Sequence, residues 1–281
     1  MTPLDTTGVD LSGLVAIVTG GGRGLGRGMA LALSAAGAKV AVVARTKGQL
    51  GETVRLIETA GGRVLAVPAD VTDHSAVETM VATVHRELGE IGLLVNNAGV
   101  TGKPGPIWDS DPEDWQHTVD VNLNGTYLCS TAVGRLMLEQ GAGRIVNVAS
   151  GAALGPILNG SGYATSKAAV LRLTECLAAD GRAHGIKAFA IDPGSVRTAM
   201  TEYLIESDEG RTYIPGYRDY ILAGGDVPAE LSANLVTLIA SGKLDSMSGR
   251  LIRVTDDVEQ MALRAEQITE DDLYTLRLRT L

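Results

Sequence analysis

Short apolar runs alternate along the chain with longer stretches in which apolar residues recur every three or four positions. Leu14–Val18, Val40–Ala44, Val64–Val67, Leu93–Val95, Ile145–Ala149, Lys187–Ile191 and Arg250–Val254 read as buried strands bounded by glycine or polar turns. Between them the period changes. Leu25, Met29, Leu33 and Ala36 fall at spacings of four and three, and Gly37 closes that helix. Further helices are predicted near Gln49–Ala60, His74–Leu88, Pro112–Glu139, around Tyr163 to Leu173, and at Pro228–Ile239. Strand followed by helix, repeated, implies an α/β fold: a doubly wound parallel sheet with right-handed crossovers and helices on both faces. No linker or repeat divides the chain, so a single domain with a core over residues 11–254 is expected.

Two segments break the alternation. Residues 199–226 gather Tyr203, Tyr213, Tyr217 and Tyr220 among Gly210, Pro215, Gly216 and Gly224, which reads as a mobile lid or as two short packed helices. The tail, residues 256–281, carries Val258, Met261, Ala262, Ala265 and Ile268 at helical spacing. Thr269 and Asp272 then have the spacing of a capping box, with Leu273, Leu276, Leu278 and Leu281 beyond, so a helical tail packed on the core or on a neighbouring subunit is expected.

Composition narrows the class. A chain of 281 residues with 45% hydrophobic content and 35 glycines suits a turn-rich globule with a sizeable core. The net charge of −9 argues against nucleic acid or an anionic membrane as partner. No apolar run approaches ~18 residues, and Met1 to Asp10 lacks a signal core, so a soluble cytoplasmic protein is the expectation. Cys129 and Cys176 stand in predicted helices and read as small buried hydrophobes; with four isolated histidines they supply no metal-ligand spacing, and no metal site is assigned.

The candidate chemistry centres on Ser150, Tyr163 and Lys167. Tyr163 and Lys167 are four apart, so a helix places phenol and ammonium on one face, and the cation is expected to draw the phenol pKa down toward neutrality. Ser150 follows an apolar strand and would present its hydroxyl at the strand's carboxyl end, where ligands of parallel α/β sheets bind. A Tyr-x-x-x-Lys pair alone reads more readily as a surface pair than as a catalytic one, and Asn122, set into an apolar helical stripe, as a satisfied core amide. Near the N-terminus, Thr19 leads into Gly20-Gly21-Gly22-Arg23-Gly24-Leu25-Gly26 between a strand and a helix, a turn that lets backbone approach a pyrophosphate held at the helix N-terminus. Arg45 ends the second strand, where such folds read the adenosine ribose; no acidic residue stands there.

Taken together these residues resemble the short-chain dehydrogenase/reductase family over Leu11 to Val254. The resemblance implies a Rossmann-type NAD(P)-dependent oxidoreductase acting on CH–OH or C=O groups. Gly20, Gly22, Arg23, Gly24, Leu25 and Gly26 would form its cofactor turn, Asp70 and Val71 would hold the adenine, and Asn97, Ala98 and Gly99 would flank the nucleotide. Asn122, Ser150, Tyr163 and Lys167 would be its catalytic tetrad, with Lys167 also on the nicotinamide ribose, and Pro193, Gly194, Val196 and Thr198 its nicotinamide-side loop. Ala44 with Arg45 and Arg23 favours NADP(H), with NAD(H) as the second possibility. The tyrosines and Trp108 suggest an apolar pocket for a small-molecule substrate. The resemblance also implies a homo-oligomer, tetramer or dimer, built on the helices that carry Asn122 and Tyr163. A non-catalytic NADP(H)-binding regulator on the same fold is the alternative, and it leaves the activated phenol without a purpose.

Overall fold

The computed structural model describes residues 4–278; Leu281, part of the expected leucine series, lies outside them. Seven parallel strands form one sheet in the order β3-β2-β1-β4-β5-β6-β7. They are β1 (Val15–Thr19), β2 (Lys39–Ala44), β3 (Val64–Pro68), β4 (Ile91–Asn96), β5 (Gly143–Val148), β6 (Ile186–Asp192) and β7 (Leu251–Arg253). The central strands are mostly apolar because both faces are covered, yet alternation persists within them. Ala16 and Val18 of β1 enter one core, and Val15 and Ile17 the other.

The first face carries α1 (Gly24–Ala35), α2 (Lys47–Thr59) and, from later in the chain, the helix Ala229–Ala240, packing Met29, Leu33, Leu50 and Ile57 on the strands. The second face carries α3 (His74–Leu88), then α4 (Pro112–Val119), α5 (Gly125–Gln140) and α6 (Ser161–Gly181). Local signals set the ends of these helices. Asp73 caps α3 by accepting the Ala76 N–H at 3.0 Å, and Gly141 ends α5 at φ 71°, a left-handed conformation that favours glycine. The expected helix over 112–139 is continuous but not uniform: Asp120–Asn124 opens into a π turn that carries Asn122, joining α4 to α5.

A buried polar ladder crosses the second face. Asn96 Nδ2 on β4 donates to Ser130 Oγ on α5 and to Asn147 Oδ1 on β5, both at 2.9 Å, and Asn147 Nδ2 donates to Thr174 Oγ1 on α6 at 2.9 Å. Cys129 is buried on α5, and burial pushes its thiol up to about 12. Cys176 departs from the expectation: it lies on the outer side of α6 and is exposed.

Residues 199–226 form three short helices rather than two: α7 (Ala199–Glu206), α8 (Asp208–Tyr213) and α9 (Pro215–Leu222). Their base is tied by Val227 N–H to Ser195 O at 2.8 Å. After α10 (Ala229–Ala240) and β7, the tail forms α11 (Val258–Leu263) and α12 (Ala265–Glu270), which bury Val258, Met261 and Ile268 in the first core. The capping box is not formed. Thr269 lies within α12 and its hydroxyl donates to Ala265 O at 2.8 Å; Asp272 follows the helix at φ 50°, its carboxylate engaged by Arg250 and Arg277. The stretch beyond runs without helix along α6. Arg172 Nη2 donates to Leu276 O at 2.9 Å, Arg277 pairs with Glu175, and Leu251 N–H of β7 donates to Tyr274 O at 3.0 Å. Leu276 packs beside α6, whereas Leu278 is exposed.

Candidate active site

The chain returns from β3 across β1 to start β4, and the connections part above these two strands, making a crevice at their carboxyl ends. A cleft of about 850 Å³ lies there. Every residue expected on the cofactor side lines it except Gly26, as do Ser150, Tyr163 and Lys167. Asn122 stands one layer behind.

The glycine turn is built for close approach. Gly20 and Gly24 have φ 65° and 54°. A Cβ on Gly26 would collide with Gly20 O and Asn97 Nδ2, so α1 can start against the turn only without a side chain there. Thr19 Oγ1 accepts Asn97 N–H at 3.0 Å and Ala98 N–H at 3.1 Å, while Asn97 Nδ2 donates to Thr19 O at 2.9 Å. The turn and the Asn97-Ala98-Gly99 segment are therefore one unit. A second brace was not legible in the sequence: Arg27 Nε donates to Thr53 Oγ1 at 3.1 Å, and that hydroxyl to Gly21 O at 3.0 Å, fastening α2 to the turn.

At the outer end Arg45 Nη1 lies 3.5 Å from Asp70 Oδ2, with 61% of its side chain exposed. Arg23 is exposed at the start of α1. Burial opposes ionisation of Asp70, but the Thr72 N–H and hydroxyl, then Arg45, outweigh it and hold the carboxyl below its ordinary value. Asp70 thus spends its oxygens within the protein, leaving most Arg45 donors facing the cleft.

At the inner end α6 places Lys167 Nζ 5.7 Å from the centre of the Tyr163 ring. The ammonium donates to Val148 O at 2.7 Å and is buried. The expected depression of the Tyr163 pKa is not what this arrangement produces. Burial pushes the phenol up to about 12; the Ser150 hydroxyl beside it pulls down, while Asp192 and Tyr217 push further up. Burial also brings Lys167 down to about 8, since its cation sits over the ring among few compensating charges. The phenol is thereby kept protonated, the state required to deliver a proton.

Asn122 uses its whole amide. Oδ1 accepts Val100 N–H at 2.9 Å, and Nδ2 donates to Val100 O at 2.9 Å and to Ser166 Oγ at 3.0 Å. Its acceptor toward the cleft is therefore not the side chain. Gly99 fits between: a Cβ there would stand 3.2 Å from Asn122 Oδ1 and 3.7 Å from Lys167 Nζ.

Helices α7 to α9 supply the opposite wall, with Leu204, Ile214, Tyr217 and Tyr220 lining the cleft and the two rings 6.4 Å apart. Trp108 is no part of it; at 90% exposure it stands on the surface, so composition misassigned it. Sequence reasoning also passed over Asn159. Its φ is 60°, its O accepts Gly105 N–H at 2.9 Å, and its Nδ2 donates to Tyr213 O at 2.9 Å, linking the loop after β4, the approach to α6 and the end of α8. Asp192, at the end of β6, lines the cleft as well.

The family described as short chain dehydrogenase matches residues 14–209. The chain is a short-chain dehydrogenase/reductase. Among its relatives, short-chain reductase protein NovJ of Streptomyces niveus is 38% identical over 249 residues, covering 85% of this chain and 92% of that protein. Levodione reductase superposes with a TM-score of 0.81 at 32% identity, covering 89% and 98% of the two chains. Gluconate 5-dehydrogenase from Burkholderia cenocepacia, solved with NADP and tartrate, superposes at 0.80 with 27% identity, covering 90% and 97%. As a member of this family the protein is an oxidoreductase of the NAD(P)-binding, Rossmann-type class. Among the described residues no helix is long and apolar enough to cross a membrane.

Proposed function

We propose that this short-chain dehydrogenase/reductase transfers hydride between NADP(H) and the carbonyl or secondary-alcohol carbon of a small, largely apolar substrate. The observation that carries the reading is the convergence of Ser150, Tyr163 and Lys167 on the inner half of a cleft whose outer half is the glycine turn. The nicotinamide, when bound, supplies the hydride chemistry. Tyr163 exchanges the proton at the substrate oxygen and Ser150 orients that oxygen. Lys167 holds the ribose side and fixes the charge beside the ring, and Asn122 sets the height of Val100 and α6 and offers its backbone to a relay water. Gly20, Gly22, Gly24 and Leu25 take the pyrophosphate, with Gly26 packed behind the turn, Asp70, Val71 and Asn97 to Gly99 along the nucleotide and Pro193, Gly194, Val196 and Thr198 on the nicotinamide side.

Preference for NADP(H) over NAD(H) rests on two exposed guanidiniums, Arg23 and Arg45, at the adenosine end, with Ala44 in place of a carboxylate. The NADP complex of the Burkholderia relative supports it. The apolar wall of Ile157, Met200, Leu204 and Ile214 supports an apolar substrate. Tyr127 and Leu138, exposed on α5, support assembly of copies through that helix.

NADPH consumption against a panel of ketones tests the reading. Tyr163→Phe should lower turnover at least ~10²-fold with cofactor still bound. Wild-type rates in that variant, with chemistry limiting, would remove Tyr163 from the proton transfer. Arg45→Ala should weaken NADPH about tenfold, the lower range for a hydrogen bond to a charged group because the side chain is exposed, and leave NADH unaffected. Tighter NADH binding by the wild type would overturn the cofactor assignment alone.

A further inference from the structure

Asp192 ends β6 on the side of the sheet that faces α6, since Phe189 and Ile191 enter the opposite core and Ala190 packs with α6. Its Oδ1 accepts Gly194 N–H at 3.1 Å and closes the turn around Pro193. Among the described residues Oδ2 has neither a hydrogen bond nor an ion pair. That oxygen lies 3.1 Å from where a Cβ on Gly151 would stand, so the glycine next to Ser150 leaves the space in front of it clear. The residue lines the cleft, and its charge acts on the Tyr163 phenol.

A substrate whose oxygen is held by Ser150 and Tyr163 shares the cleft, beside Gly151, with a carboxylate oxygen that has no donor among the described residues. An apolar group there would strip water from the charge and give no partner in return, whereas a hydroxyl donates to it. We propose that Asp192 determines specificity by accepting a hydrogen bond from a hydroxyl on the carbon next to the reacting one, so that the preferred substrates are α-hydroxy ketones and the matching vicinal diols, with an apolar or ring-shaped remainder. The inference rests on the oxidoreductase reading above and narrows its substrate. Hydride goes to the carbonyl carbon and a proton to its oxygen; the neighbouring hydroxyl is bound, not consumed. The apolar wall of Leu204, Ile214, Tyr217 and Tyr220 receives the remainder.

The other use of Asp192, closing the turn, is kept by Asp192→Asn, whose Oδ1 still accepts the Gly194 N–H while the charge is gone. The experiment compares 2-hydroxycyclohexanone with 2-methoxycyclohexanone, which has a methyl in place of the donor proton, in wild type, Asp192→Asn and Asp192→Ala. Retained NADPH binding shows that each variant is folded. Wild-type kcat/KM should favour the hydroxy ketone by about ten- to a hundredfold, and both variants should lose at least about tenfold of that ratio. Equal kcat/KM for the two ketones in the wild type, or the same ratio in Asp192→Asn, overturns the proposal. Ketone binding read from the fluorescence of bound NADPH separates the two claims. Discrimination in binding without turnover would refute the oxidoreductase reading and leave Asp192 as the recognition group; binding of neither ketone would overturn the role of Asp192.

Discussion

Replacing Lys167 with methionine removes a charge from a buried site while keeping most of the volume of the side chain. Lys167 has its pKa brought from an ordinary 10.5 to about 8 by burial, so in this interval the unfolded chain binds a proton that the folded chain does not. Stability contributed by this group must then rise with pH, starting near 8 and levelling off above 10.5. Integrated from about pH 7 to about pH 9.5, the gain is on the order of 2 kcal/mol. Tyr163 has the opposite sign, since its folded value of about 12 lies above the ordinary 10, but its loss begins only near the top of that window and is common to both proteins. Urea unfolding at the two pH values, wild type against Lys167→Met, isolates the lysine. The wild type should gain about 2 kcal/mol relative to the variant with unchanged m-values. Parallel pH profiles for the two proteins would mean that Lys167 keeps its charge at no cost, and the burial account of both pKa shifts would fail with it.

Three further outcomes follow from geometry. Gly26→Ala forces a methyl into Gly20 O and Asn97 Nδ2, so it should cost about 1–3 kcal/mol and weaken cofactor binding more than substrate binding; an unchanged Tm and cofactor Kd would show that the turn can open freely. Asn159→Gly keeps the left-handed backbone and deletes only the bond to Tyr213 O; KM should rise about two- to tenfold and proteolysis within 199–226 should quicken, whereas unaltered cleavage would free the lid from this contact. A chain ended at Thr255 uncovers the core under Val258, Met261 and Ile268 and should lose about 3 kcal/mol, roughly 10 °C in Tm; a Tm within error of the full chain would show the tail to be an ornament.

The parts legible in the sequence are those whose geometry is local. Four residues along a helix bring Lys167 over Tyr163, and a strand running into Gly20 to Gly26 leaves few other conformations for the turn. The sequence pattern misled where a distant partner decides. Thr269 and Asp272 have capping-box spacing, but Arg250 and Arg277 claim the Asp272 carboxylate and α12 ends before it. The sign of the Tyr163 shift depended on how deeply two side chains are buried, which i,i+4 spacing does not encode. Asn159 and Asp192 were passed over for the same reason, since each acts through atoms of Gly105, Tyr213, Gly151 or Gly194, none of which marks it in the chain.

The ladder of Ser130, Asn96, Asn147 and Thr174 bears on how this protein tolerates change. An all-apolar replacement of matched volume would fill the second face at least as well, and Asn96 Oδ1, which has no partner in the fold, would no longer be buried at a loss. What the amides and hydroxyls add is position along the helix axes: a shift of α5 by one turn breaks the Ser130 rung and a shift of α6 the Thr174 rung, whereas greasy surfaces slide past one another with little penalty. Selection for heat resistance alone would therefore erode these four residues, and with them the height at which α6 holds Tyr163 and Lys167 above the sheet. Thermotolerant descendants obtained that way should melt later and turn over more slowly, a trade set at a site distant from any reacting atom.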